Sequence, residues 1–358
     1  MLDRWKGIIF ASLAALFFGL STPLAKSLLP QLAPALMAGL LYLGSGVGLA
    51  VYSLIRGRSK SPGKHEASLT RKDAPWLAGA IAAGGVVAPL LLMWGLATMP
   101  ASSASLLLNL EGVLTALLAW FVFKENFDAR IAVGMALIAA GGICLSWTGR
   151  PTSGVPWSLL AIVAACLAWA IDNNLTRKVS AGDPVRIAML KGLVAGCVNT
   201  GLAFALGAKL PAFPPLLMTG AVGFLGYGVS LTLFVLALRH IGAARTSAYF
   251  SIAPFVGAAV SVVFLGDKLT LGFMAAAVLM ALGIWLHLTE RHEHEHRHDP
   301  MEHEHLHTHD AHHQHAHGPN DPPGEPHSHR HRHDGLIHSH PHYPDIHHQH
   351  SHSSKAAS

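Results

Sequence analysis

Between Ala101 and Phe123 the sequence reads ASSASLLLNLEGVLTALLAWFVF. This is long enough to cross a bilayer as a helix, which takes roughly 20 mostly apolar residues. Yet Asn109 and Glu111 stand near its centre. An acid at that depth costs about 2.5 kcal/mol or more to insert. A chain that keeps one there has to fold so that a protein interior or a wet cavity receives it.

The rest of the chain fits that demand. Apolar runs of about 19 to 25 residues recur along it, too long and too many for a soluble core. Only 13% of its residues are charged, and most of these lie in short connectors or beyond residue 290. The fold class expected is an all-α integral membrane protein of ten spans. They run roughly over 7–29, 34–55, 74–97, 101–123, 129–148, 156–178, 185–207, 214–238, 243–265 and 270–289. The first run exceeds the usual apolar core of a signal peptide and has no small-residue cleavage pattern, so it reads as a retained span. Cys144, Cys166 and Cys197 stand singly in apolar runs, without metal-ligand spacing, and read as packing residues.

Lys and Arg set the orientation. With the N-terminus in the cytoplasm, the inner segments hold Arg4, Lys6, Arg56, Arg58, Lys60, Lys64, Arg71, Lys72, Lys124, Arg130, Arg177, Lys178, Arg186, Arg239 and Arg245. The outer ones hold only Lys26, Arg150, Lys209 and Lys268. That asymmetry places both termini in the cytoplasm and the chain in the inner membrane.

The halves repeat. At an offset of 142, Gly84 meets Gly226, Leu91 meets Leu233, Ala101 meets Ala243, Ser105 meets Ser247, Leu137 meets Leu279 and Gly141 meets Gly283. The acidic turn FKENF (123–127) falls over LGDKL (265–269). The first spans match at a different offset, with Lys26 over Arg177. Five spans per half is an odd number, so the second half enters the membrane upside down. That is the inverted-repeat plan of many secondary transporters, with a site between the halves. The expected domains are 1–149 and 150–290, one five-helix repeat each, and a tail of 291–358.

The five-plus-five arrangement resembles the EamA-type transporters of the drug/metabolite transporter superfamily. So does a fourth span leading through an acidic turn into a Gly-rich fifth, LAWFVFKENFDARIAVGMALIAAGGICL, with SIAPFVGAAVSVVFLGDKLTLGFMAAAVLMALGIWL as its counterpart. Pro254 keeps the proline usual ahead of that turn in the family, whereas the first half has Glu111-Gly112. The resemblance implies alternating-access movement, often outward, of a small metabolite, amino-acid-like compound or drug. It supplies no catalytic residue, so no enzyme activity is expected.

Within the spans, Glu111 is the candidate proton- or cation-responsive group. Asp172, with Asn173 beside it, lies about one and a half turns above the cytoplasmic end of the sixth span. Lys191 in the seventh lies at a similar depth, so either Asp172 or Glu111 can be its partner. Asp172 and Lys191 are the candidate inner gate, with a purely structural ion pair as the alternative. Asn109, Asn199 and Tyr227 are polar groups that more often join helix to helix than touch solute. Pro23, Pro89 and Pro254 interrupt spans one, three and nine and can kink them. Trp5, Trp76, Trp147 and Trp157 fall near span ends as interfacial anchors.

From His292 to His352, 23 residues are histidine. Such a segment cannot build a packed core and is expected to be disordered. Its alternating histidines, His292, His294, His296, His298, His303, His305, His307, His309, His327, His329, His331 and His333, offer imidazole ligands for Zn, Ni, Co or Cu. Three uses stay open: a cytoplasmic metal buffer or sensor, a passive tail, or a pH-responsive one. No cofactor is required. The alternatives to solute transport are Ni, Co or Zn efflux fed by the tail and, in another class, a membrane-anchored metal sensor or buffer. The expected partners are a small solute, the lipid bilayer, divalent metal ions at the tail and, for assembly, a second copy of the chain; no nucleic-acid partner is expected.

Overall fold

A computed structural model describes residues 2–57, 69–123, 129–146, 156–179 and 183–288, with four short tail segments. The body is helical. Its elements are α1 (Leu2–Leu28), α2 (Pro34–Gly57), α3 (Ala74–Ala80), α4 (Ala88–Thr98), α5 (Ala101–Leu107), α6 (Leu110–Phe123), α7 (Ala129–Ser146), α8 (Trp157–Arg177), α9 (Pro184–Ala205), α10 (Phe213–Gly223), α11 (Ser230–Phe250), α12 (Ala253–Leu265) and α13 (Leu271–Leu288). Among the described residues, seven helical segments are long and apolar enough to cross a membrane: Trp5–Gln31, Pro34–Ile55, Ala74–Thr98, Ala101–Val122, Trp157–Thr176, Pro184–Ala205 and Phe213–Ala237. Three shorter apolar helices, Arg130–Leu145, Ala253–Leu265 and Leu271–Leu286, accompany them.

Several expected spans are not plain α-helices. The third is α3 and α4 joined by a π-helical stretch, Ile81–Val87. The eighth has the same device at Phe224–Val229, between α10 and α11. The fourth, expected as one helix, breaks at Leu108–Asn109 between α5 and α6. The expected ninth breaks at Ser251–Ile252, just before Pro254, which cannot donate a helical hydrogen bond. Both pairs of irregularities recur at nearly the offset that relates the two halves of the sequence.

The eighth and ninth expected spans share one stretch of helical hydrogen bonding, α11. Phe234 and Phe250 lie within it, yet their ring centroids are 4.9 Å apart. A straight helix would hold them about 24 Å apart. The chain therefore turns back on itself between them, where the sequence places the junction of the two spans.

Small residues bring the helices together. A Cβ on Gly44 of α2 would meet the backbone carbonyl of Gly220 on α10, and one on Gly223 would meet the carbonyl of Leu41. Gly46 and Gly192 pack backbone against backbone in the same way, α2 on α9. Such contacts suit a bundle whose surroundings are as apolar as its own side chains, where close packing has to replace the hydrophobic effect. Leu36, Met37, Leu41, Leu92, Met93, Leu96 and Ile162 fill the main buried cluster. Large apolar residues such as Leu54, Phe121, Phe213, Val263 and Leu271 face outward.

In the tail, β1 (Glu293–Arg297) pairs antiparallel with β4 (Ile337–Pro341), and β2 (Met301–His307) with β3 (His327–His333). These four segments are paired where composition leads to an expectation of disorder; the rest of 291–358 lies outside the described residues. Strict alternation has the period of a strand, and the register sets Glu302 opposite Arg332 and Glu304 opposite Arg330. His292, His298 and His309 lie outside the described residues, as does the first acidic turn at 124–128. The remaining nine candidate ligands are described in their backbone alone.

Gly44→Ala should cost about 1–3 kcal/mol, the usual penalty of overpacking a filled contact. Gly201 has open space around its Cβ position, so Gly201→Ala should leave stability unchanged or slightly raised. Thermal unfolding in one detergent, both variants side by side, checks the pair.

Candidate functional site

The π-helical turn in the third span is the centre of the polar interior. A π turn displaces carbonyls from the regular α ladder and is frequent at functional sites. Here the Gly84 carbonyl accepts from the Tyr42 hydroxyl at 2.7 Å and from the Trp169 indole N–H at 3.0 Å. The next carbonyl, Gly85, accepts from the Asn199 side-chain amide at 3.0 Å. Donors from α2, α8 and α9 thus converge on two consecutive glycines.

Gly84 has a second constraint. A Cβ there would overlap the Asp172 carboxylate. The absent side chain is what lets an acid on α8 lie against the π turn. Asp172 is 5% exposed, and a charge so deep needs a partner. Lys191 of α9 supplies it, with Nζ 2.6 and 2.7 Å from the two carboxylate oxygens. The Thr176 hydroxyl donates to Asp172 at 2.7 Å and accepts from Lys191 at 3.3 Å. Of the two partners open to Lys191 by depth, the fold selects Asp172.

Glu111 lies in the first turn of α6, just past the break at Leu108–Asn109. Its carboxylate accepts from the Asn173 side-chain amide at 2.8 Å. Among the described residues it has no ion-pair partner. Asn173 also approaches the Thr115 hydroxyl at 3.5 Å. Glu111 is half-buried, Asn173 is exposed, and a Cβ on the adjacent Gly112 would meet nothing within 4 Å. The acid therefore borders open space rather than a packed core.

Asn109 is turned elsewhere. Its amide donates to the Leu106 carbonyl at 3.0 Å and approaches the Met280 sulfur at 3.8 Å, so it closes the helix break and touches α13. Tyr227, in the second π turn, stacks near Tyr42 with centroids 5.4 Å apart and edge-on to Phe18 at 5.9 Å. Asn199 is fully buried. Beside Phe18 a tight crevice, too narrow for a water molecule, lies between α1, the α5 break and α12, lined by Thr22, Ser105, Leu108, Ala253 and Pro254. Among the described residues the Ser105 hydroxyl, buried there, has no partner. Among the described residues no group of His, Cys, Asp and Glu has a metal-holding arrangement.

Sequence reading missed Tyr42, Trp169, Thr176 and the two glycines. Two signals were present: Trp169 is a mid-span tryptophan among interfacial ones, and Gly84 recurs at Gly226.

An apolar exterior around a paired charge, an acid held by an amide and interrupted helices defines a polytopic membrane protein with a polar interior. The model of the EamA-like transporter family matches residues 5–147 and again residues 156–289. The chain belongs to that family, which makes it a membrane transporter of small solutes.

An uncharacterized transporter of Methanothermobacter thermautotrophicus is 27% identical over 297 residues, 79% of this chain and 86% of that protein. The uncharacterized inner membrane transporter YedA of Escherichia coli K12 is 26% identical over 71% of this chain and 83% of its own length. A probable amino-acid metabolite efflux pump of Salmonella typhimurium is 26% identical over 53% of this chain and 68% of the pump. One solved crystal structure shares the fold at a TM-score of 0.57 and 17% identity, over 80% of this chain and 95% of its own.

Lys191→Met should destabilise the protein by roughly 3–5 kcal/mol, because it strands Asp172 as a buried, uncompensated charge. The double variant Asp172→Asn, Lys191→Met should recover most of that loss. Unfolding midpoints of the two singles and the double in one detergent measure the coupling.

Proposed function

We propose that this chain exports a small metabolite or drug-like solute by alternating access. The reading takes ten helices in two inverted quintets, with both termini in the cytoplasm. The paired π turns and paired breaks at a common offset support two equivalent halves. The Lys and Arg asymmetry supports the orientation. An amino-acid-like solute is favoured by the name of the Salmonella typhimurium relative.

The observation that carries the mechanism is the contrast between two acids. Asp172 is neutralised by Lys191, whereas Glu111 borders open space with an amide as its partner. An acid held at mid-depth without a fixed cation can take up and release a proton or a cationic group. Glu111 is therefore the coupling group, and the Asp172–Lys191 pair is the inner gate. The Ser105 hydroxyl, buried and unpartnered in the crevice, is the kind of group a solute's polar atom satisfies on binding. Helix breaks near the middle of a span, beside buried polar groups, are typical of such sites.

The histidine tail is read as a cytoplasmic metal collector that is separate from transport. Removal of residues 291–358 should abolish most Ni or Zn bound by the purified protein and leave solute export intact. Elemental analysis of the bound metal, with export from loaded vesicles, checks both halves of that statement. Metal tolerance that falls on truncation while metabolite export is absent would instead favour metal efflux.

For Glu111, export of an amino-acid analogue panel should vary with pH in the wild type and lose that variation in Glu111→Gln. An identical pH profile in both ends the proposed role.

A further inference from the structure

At the end of the bundle that the proposed orientation places outside, a carboxylate from one half of the chain caps a helix of the other. Gly266 follows α12 with φ of +71°, a left-handed conformation that an L side chain rarely adopts. It folds the chain back, so that the Asp267 N–H lies 3.4 Å from the Ser261 carbonyl. Ser261 is one turn from Gly257, where α12 packs against the Ser105 hydroxyl. From this position the Asp267 carboxylate accepts from the Ser102 backbone N–H at 2.8 Å. That N–H is one of the orphan donors in the first turn of α5.

A cation completes the arrangement. Lys26, in the last turn of α1, donates to the Leu96 carbonyl at 2.6 Å and the Ala97 carbonyl at 3.1 Å. These are the free acceptors at the end of α4. The turn at Met99–Pro100 is thus held on both flanks. An acid meets the N-terminal end of α5 and a base the C-terminal end of α4, each matching the helix dipole it faces.

The anchored elements are the three that line the crevice. Thr22 lies one turn along α1 from Lys26, and Ser105 one turn along α5 from Ser102. Pro254 is on α12, which leads to Asp267. A solute entering from this end has to part α5 from α12, and the Asp267–Ser102 hydrogen bond spans that seam. We propose that Asp267 and Lys26 are positioning residues of a latch that closes this mouth of the transport path. The proposal rests on the alternating-access reading above. It assigns a use to the acidic turn LGDKL. Its register counterpart Glu125 lies outside the described residues.

The test reads access rather than transport. In a chain whose three cysteines are replaced by alanine, Thr22→Cys is labelled with a membrane-impermeant maleimide, in cells and in inverted vesicles. Asp267→Ala and Lys26→Met should each raise the labelling rate from one face only, by about tenfold. That is the shift expected from losing one hydrogen bond to a charged group. Asp267→Glu, which keeps the charge, should restore most of the protection. Asp183 is the control, since it caps α9 through the Val185 and Arg186 N–H groups away from this seam. Asp183→Ala should leave the labelling of the Thr22→Cys chain unchanged.

No change in Asp267→Ala, or an equal rise in Asp183→Ala, overturns the latch. If Asp267→Ala is poorly expressed, Lys26→Met decides by the same criterion. Because labelling needs no solute, a latch that behaves as stated in a protein that exports nothing would leave the latch standing and remove the export reading.

Discussion

A charged carboxylate buried deep inside a lipid-facing bundle needs a compensating partner, and the helices around Asp172 are arranged to supply one. Lys191 and Thr176 hold this acid, and the space it occupies exists because residue 84 has no side chain. The same glycine carries a carbonyl released by the π turn, which takes donors from Tyr42 and Trp169. One glycine therefore links a charge, a helical irregularity and two aromatic anchors. A larger residue there would displace the acid and disturb helices on three sides.

The irregular turns share a physical logic. Backbone polar groups released from a helix are tolerated at membrane depth only where protein or water can satisfy them. The interruptions of the third and fourth spans meet that condition. Asn109 bonds the Leu106 carbonyl beside the break in the fourth span, the Cys166 thiol approaches the Leu107 carbonyl at 3.6 Å, and Asn199 takes the Gly85 carbonyl. The breaks lie on the elements that surround Glu111 and the crevice.

Part of this is legible in the sequence. Counting residues from the span ends put Asp172 and Lys191 at one depth, because helical rise per residue is fixed and the membrane supplies a common ruler. Glu111 stood out because acids are costly in apolar runs. Tyr42 and Trp169 were not legible as site residues. Apolar spans use aromatics freely, and only a neighbouring helix decides which ones find a carbonyl. Asp267 was visible as part of a recurring turn but not as a cap, since its partner is a backbone N–H that every residue except proline has.

The sequence alone determined the helical membrane class and singled out the few charges that stand within apolar runs. These follow from local properties: hydropathy, length and periodicity. Tertiary structure decided which charges meet. Lys191 had two acids within its range of depth, and the rotation and tilt of α8 and α9 gave it Asp172. It also decided that the third, fourth, eighth and expected ninth spans are interrupted. Those interruptions depend on what packs against the freed carbonyls, and that is fixed by residues far away in the chain.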